Sequence, residues 1–290
     1  MGKQTGISWT DHTFNPWWGC EKALIQIGGK TCVSPECEGC YAEVWDARCG
    51  GGHWGRTAPR RFFGDKHWNE PLAWNREAEK DGVRRRVFCL SMGDICEDRR
   101  DLDAHRERLW PIIEQTKWLD WLLLTKHPDL FEALIPAHVW QLPNIHPGIT
   151  AGVQDSANLR AGYLVRLKAK YPHIITWVSA EPLLSALDLW PWIEDINWVI
   201  VGGQSGAKAK PMHPDWARSV RDQCLAARVP FFFKQWGEFC DWDQLPEDVV
   251  REIDAVGEVP REMPFRVGKK AAGHLLDGQV WQQAPWEATR

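Results

Sequence analysis

A chain of 290 residues can bury one large core, and α/β barrels of this length routinely form a single domain, so one domain over 1–290 is expected. A formal net charge of -4 excludes the global positive field of a non-specific nucleic-acid binder, so any such contact has to be local. No apolar run reaches the roughly 18 residues of a membrane span, and the absence of a secretory leader predicts a cytoplasmic protein whose nine cysteines are reduced thiols.

In chain order, the leader "WTDHTFNPWWGC" carries Asp11 and Asn15, expected to support the loop that follows or a first strand. "CVSPECEGCYAE" (32–43) then sets three cysteines at C-x4-C-x2-C. Residues 47–82 read as an insertion: through residue 68 it holds Arg48, Arg56, Arg60, Arg61 and Lys66 against Asp65 alone, interleaved with His53, Trp54, Phe62, Phe63 and Trp68. Such a mixture suits phosphate and base contact, although a charge cluster is more often a solvated face. The 20 tryptophans fit core packing ahead of base stacking.

From residue 83 onward strand and helix signals alternate. Strands are expected at 86–92, 119–125, 147–153, 173–179, 196–203 and 229–235, with helix-like stretches between them. In 156–170 the apolar Leu159, Tyr163, Leu164 and Leu167 recur at helix spacing, with Asp155 or Ser156 as cap. Repeated strand–helix units with strands apolar on both faces predict a parallel (β/α) barrel, partial or irregular, with an open doubly wound sheet as the alternative. Polar residues collect at the strands' C-terminal ends: Ser91 with Asp94, Thr125 with Lys126, Thr150 with Gln154, Ser179 with Glu181, Gln204 with Ser205, and Lys234 with Gln235. That edge is where parallel α/β folds bind ligands. Residues 240–290 read as a C-terminal extension, with an acidic surface excursion at 241–260 and a closing hairpin at 265–283 turning at "LDG".

The cysteines allow two metals. A structural zinc takes four protein ligands, which Cys20, Cys32, Cys37 and Cys40 supply on count alone. A [4Fe–4S] cluster held by only three cysteines leaves one iron open to a substrate or cofactor.

The loop of three cysteines ahead of βα units resembles the radical S-adenosylmethionine (SAM) superfamily, whose usual motif is C-x3-C-x2-C. "WTDHTFNPWWGC", "VSPECEGCYAE", "SMGDICED", "LLTKHPDL", "GITAGVQ", "SAEPLL", "WVIVGGQSG", "MHPDWARSVRDQC", "FFFKQWGEF" and "LLDGQVW" together resemble the phage Gp37/Gp68 family, a domain-of-unknown-function group with a radical-SAM-like motif. The chain departs from both patterns. "ALIQIGGKTC" is interposed, so the third ligand beside Cys37 and Cys40 is Cys20 by the family motif or Cys32 by spacing. The superfamily's aromatic precedes the last cysteine, where this chain has Gly39, and Tyr41 stands next in line to pack on adenine.

The resemblance implies a TIM-like barrel of the radical SAM type, a [4Fe–4S] cluster and SAM as cofactors, and a flavodoxin- or ferredoxin-type reductant. It puts Ser91, Gly93 and Asp94 at the SAM ammonium, and Thr150, Gln154, Ser179, Glu181, Gly202, Gly203 and Gln204 at its carboxylate, ribose and adenine. Lys126 and Lys234 would meet an anionic group or pair with Asp94 or Glu181, and Arg60 and Arg61 would meet substrate. The phage association and the basic segment point to a nucleobase, nucleotide or nucleic acid as substrate. The rival from another class is a non-catalytic zinc or iron–sulfur module that binds nucleic acid or a partner protein.

Overall fold

Seven short strands pair in the order in which they occur in the chain, every pair parallel: β1 (His12–Thr13), β2 (Arg85–Cys89), β3 (Leu119–Thr125), β4 (Ile145–Thr150), β5 (Trp177–Ala180), β6 (Trp198–Gly202) and β7 (Phe231–Gln235). They form a curled half-barrel within a mixed α/β fold. The structure is a computed structural model that describes residues 5–256 and 264–286. The main helices are α1 (Tyr41–Arg48), α2 (Glu70–Asp81), α3 (Asp103–Gln115), α4 (Gln154–Lys170) and α5 (Pro214–Ala227).

Side-chain alternation along the strands builds two cores. Val87, Leu123, Ile149, Val178, Val201 and Phe233 pack outward with Leu109, Ile113, Leu164, Leu167 and Val220 of α3, α4 and α5. Phe88, Leu122, Trp177, Trp198, Ile200 and Phe232 point the other way, into the concave face. That face is filled by the two ends of the chain. Trp9 packs its ring, tilted, 4.7 Å from Phe88 and 5.4 Å from Trp177, and Trp286 lies 5.5 Å from Trp198. The C-terminal segment also covers the free edge of β7, since Phe233 N donates to Trp281 O at 2.7 Å and Gln283 N to Phe231 O at 3.1 Å. An exposed edge strand is thereby paired.

The differences from the expected elements have local causes. β1 is two residues long and carries no readable alternation. β4 ends at Thr150: the Ala151 N–H still donates to Ser179 O at 2.9 Å, but that of Gly152 turns away to donate to Glu36 at 2.8 Å. α4 begins at Gln154, not behind an Asp155 or Ser156 cap, and its first N–H donates to Ser185 Oγ at 3.3 Å. Its buried stripe is Ala157, Arg160, Ala161, Leu164 and Leu167, so Leu159 is left 49% exposed. α2 lies in the stretch expected as an insertion, yet Trp74 and Ala78 pack into the outer core. The interposed residues form a hairpin, Leu24–Ile27 against Lys30–Val33, turning on Gly28 and Gly29 at positive φ. The acidic excursion contains a helix, Glu247–Val256, and residues 257–260 of it lie outside the described residues.

Gly148 shows how tightly the concave face is filled. A Cβ there would stand 2.2 Å from the Trp177 ring. Overpacking of this kind costs about 1–3 kcal/mol, so Gly148→Ala is expected to lower the urea midpoint with the slope unchanged, as read by tryptophan fluorescence.

Candidate functional site

The C-terminal ends of the strands converge on one cavity of about 320 Å³. Its wall takes Ser91, Gly93 and Asp94 from the turn after β2, Thr125 and Lys126 from β3, Thr150 from β4, and Ser179 and Glu181 from β5 and its exit. Gly203, Gln204, Lys234 and Gln235 complete it from β6 and β7. Trp9, Phe88, Leu90 and Leu124 give it an apolar floor. Cys20, Cys37, Cys40 and Tyr41 line the same cavity.

Three thiols therefore share one space, with Cys20 close enough to Cys37, and Cys37 to Cys40, for a charge on each to raise the next. Burial pushes Cys20 well above the usual thiol range, with Asp94 and Glu97 adding to it. Burial likewise raises Cys37 against the pull of Lys126. Burial works against the Lys126 ammonium, but Cys37, Cys40 and Cys20 in their thiolate forms, together with Asp94, outweigh it and hold its pKa above the ordinary lysine value. Cys32 lies elsewhere: it is on the Lys30–Val33 strand of the hairpin, with Sγ 3.8 Å from Ile25 O, and does not line the cavity.

The cysteine loop is held from three sides. Underneath, Arg160 of α4, 0% exposed, donates to Thr150 O at 2.7 Å, Lys126 O at 3.1 Å and Ser34 Oγ at 3.0 Å, and pairs with Glu36 at 3.5 Å. Glu36 in turn accepts from Ser34 Oγ and from Gly152 N. A Cβ on Gly152 would lie 2.0 Å from Pro182 O, so only glycine lets the loop, β4 and the β5 exit meet there. On a second side Gln204 Nε2 donates to Glu38 O at 2.5 Å while its Oε1 accepts from Lys210 N. On the third, Tyr41 Oη donates to Ser91 O at 2.9 Å.

The expected site residues separate by what they touch. Asp94 accepts from Thr125 Oγ1 at 2.5 Å, Cys96 N at 3.0 Å and Lys126 N at 2.9 Å, and thereby shapes the wall it belongs to. Lys234 pairs with Glu181 at 2.8 Å, and Trp9 Nε1 donates to the other carboxylate oxygen at 3.3 Å. Gln154 is outside the cavity, exchanging hydrogen bonds with the Asp188 backbone. Gly202 is also outside it, and a Cβ there would meet Glu181 Oε1 at 2.6 Å. Asp11 accepts from Arg86 N at 2.7 Å and Asn15 from Met92 N at 2.7 Å, so both join the leader to β2 and its exit.

The basic segment divides as well. Arg60 is a buried strut and is not presented to solvent: 4% exposed, it is paired with Glu97 and donates to His53 O, Ala58 O and Gly55 O. Arg61 stays on the outside, its guanidinium 4.8 Å over Trp18 and 5.5 Å from Phe63. Neither lines the cavity. Ser34, Glu36 and Lys269 escaped the sequence reading, as did Arg160, whose signal was a charge between Ala157 and Ala161 on the buried stripe.

As a metal site the cavity offers soft donors of one kind. Among the described residues no three His, Cys, Asp or Glu side chains already stand together in ligating geometry. Three thiols suit a thiolate-bound iron–sulfur cluster, and burial that keeps Cys20 and Cys37 protonated makes loading a proton-releasing step. Two residues of the cavity wall, Thr150 and Gln235, each carry a side-chain oxygen (Oγ1 and Oε1) that is buried with no hydrogen-bond partner. Unpartnered buried polar atoms are what a ligand would satisfy.

The family model of a protein of unknown function (DUF5131) matches residues 4–285. No curated protein and no solved structure matches the chain.

Removing one partner of a buried ion pair strands the other charge, at about 3–5 kcal/mol. Arg160→Met should therefore lower the urea midpoint sharply and speed alkylation of Cys37 and Cys40, while the Glu36→Met/Arg160→Met double variant recovers much of the stability. Burial works to raise the Glu36 pKa, but Arg160 and the bonds from Ser34 and Gly152 outweigh it, leaving the carboxyl below its ordinary value. Its contribution is thus full above the unfolded carboxylate pKa of about 4.3 and is lost as pH falls through the folded value. An acid titration of the urea midpoint should show that limb in the wild type and lose it in Glu36→Gln.

Proposed function

The chain belongs to the DUF5131 family of proteins of unknown function, and from its cavity we propose that it is a radical SAM enzyme with Cys20, Cys37 and Cys40 as cluster ligands. The observation that carries the reading is that these three thiols open into the same cavity as the polar strand ends of the half-barrel. The location of Cys32 outside that cavity supports three ligands over a four-cysteine zinc site. What a [4Fe–4S] cluster with one open iron supplies when bound is the electron for reductive cleavage of SAM to methionine and a 5′-deoxyadenosyl radical.

The chain's own residues bind, orient and exclude water. Lys126, beside the thiols, would meet the SAM carboxylate. The carbonyls of the Ser91–Gly93 turn and the lone pairs left on Asp94 are acceptors for the SAM ammonium. Thr150 Oγ1 and Gln235 Oε1 await polar atoms of a ligand. The floor of Trp9, Phe88, Leu90 and Leu124 keeps water from a reactive intermediate. A nucleobase is the leading substrate, and a cavity of about 320 Å³ admits no duplex, so a base would have to be extruded or single-stranded. Arg61 over Trp18 and Phe63 is the surface on which a strand would lie. The electron comes from an external reductant of the flavodoxin or ferredoxin type. Among the described residues no helix is long and apolar enough to cross a membrane.

Anaerobic reconstitution with iron and sulfide, then dithionite and SAM, should give a brown protein that forms 5′-deoxyadenosine by chromatography. Cys20→Ala, Cys37→Ala and Cys40→Ala should each abolish the product, and Cys32→Ala should keep it. A colourless protein with one tightly bound zinc and no nucleoside sinks the proposal.

A further inference from the structure

The thiol end does not account for all the charge in the cavity. Lys234 pairs with Glu181 at 2.8 Å, and Lys269, from the short helix Lys269–Ala272, lines the cavity close enough to both to feel their charge. Burial and the Lys234 charge hold the Lys269 ammonium below the ordinary lysine value. Glu181 neutralises one of the two lysines, leaving one positive charge over. Glu238 also acts on Lys269, but its carboxylate already accepts from Gly206 N at 2.9 Å and faces Arg266 at 3.8 Å.

The two ends have different charged neighbours. Lys126 is surrounded by Cys37, Cys40, Asp94 and Cys20, whereas the charged groups acting on Lys269 are Lys234, Glu181 and Glu238. Among the described residues lining the cavity there is no arginine. The two lysine ammoniums act instead as point charges of the kind that binds phosphate. Next to Lys234, Gln235 is 7% exposed, with Nε2 on Ser205 Oγ at 3.1 Å and Oε1 unpartnered.

We infer that Lys234 and Lys269 bind a phosphate group of the substrate while Gln235 accepts a hydrogen bond from a hydroxyl or amine next to it. The substrate class is then a phosphorylated small molecule or a nucleotide unit of an oligonucleotide. The inference deepens the reading of this cavity as a radical SAM site and rests on it for the word substrate.

The test needs no cluster chemistry. The full-length protein is treated with limiting acetic anhydride at mildly alkaline pH, and acetylation of each lysine is followed by peptide mass spectrometry with ribose 5-phosphate, ribose or a trinucleotide present. At ten times its dissociation constant a bound probe should slow Lys269 about tenfold by mass action, leaving exposed Lys80 and Lys117 unchanged. Ribose should give no protection, and Lys234→Gln should lose it. Protection by ribose 5-phosphate supports the site with a phosphomonoester, and protection by the trinucleotide alone supports it with a phosphodiester. Equal labelling under all conditions, or equal protection by ribose, overturns it. The 5′-deoxyadenosine assay on the same preparation separates the two claims: cleavage without protection removes the phosphate subsite alone, and protection without cleavage removes the radical reading alone.

Discussion

Arg160 is a charge with no access to water, and much of the site depends on how that charge is satisfied. Its guanidinium reaches two strand-end carbonyls, Thr150 O and Lys126 O, and two side chains of the cysteine loop, Ser34 and Glu36. A buried ion pair adds little net stability over a well-packed apolar substitute, because desolvation offsets the attraction. What it supplies here is position. The loop from Ser34 to Cys40 has no strand partner in the main sheet, so its placement over the strand ends comes from side chains: Arg160 and Glu36 below, Gln204 at Glu38, and Tyr41 at Ser91. Each tie starts from a different part of the half-barrel, which is why the loop faces the cavity without belonging to any one βα unit.

The half-barrel has its own unsolved surface, and the termini solve it. Seven strands leave a concave face and an uncovered β7 edge, both costly in water. Trp9 fills the concave face from the leader, and the C-terminal segment pairs with β7 and brings Ala284 and Trp286 into the same cluster. The concave face is thereby packed, and the space that remains is at the strands' C-terminal ends. Trp9 serves both purposes, since its ring packs the interior while its indole N–H holds Glu181 beneath the cavity. Packing and site are coupled at that residue.

The cations near the cavity fall into distinct kinds. Arg60 is consumed by Glu97 and three carbonyls and ties the basic segment to the turn after β2. Arg61 covers aromatic rings on the outer surface. Lys126 sits among thiols, and Lys234 and Lys269 sit by Glu181. Equal formal charge thus serves as strut, surface and cavity wall, according to whether a carboxylate or carbonyl is already within reach.

The strand–helix alternation was legible in the chain because apolar periodicity reports local geometry, and six of the seven strands of the sheet were readable that way. The polar strand ends were legible for the same reason: a parallel sheet puts all its C-terminal ends on one edge. The three-cysteine motif was visible as spacing, but spacing could not choose between Cys20 and Cys32 as the thiol that shares the cavity. That choice depended on a hairpin that carries Cys32 away while Cys20 stays beside the turn after β2. Arg160, Glu36 and Lys269 were decided only by tertiary structure, as was the inward position of Arg60. A charged side chain reads as solvated unless its partner is known, and here the partners lie 124 residues apart for Arg160 with Glu36 and 37 for Arg60 with Glu97. Local pattern determines which segments become strands and helices; which charges are buried is set by contacts that exist only once those segments have packed.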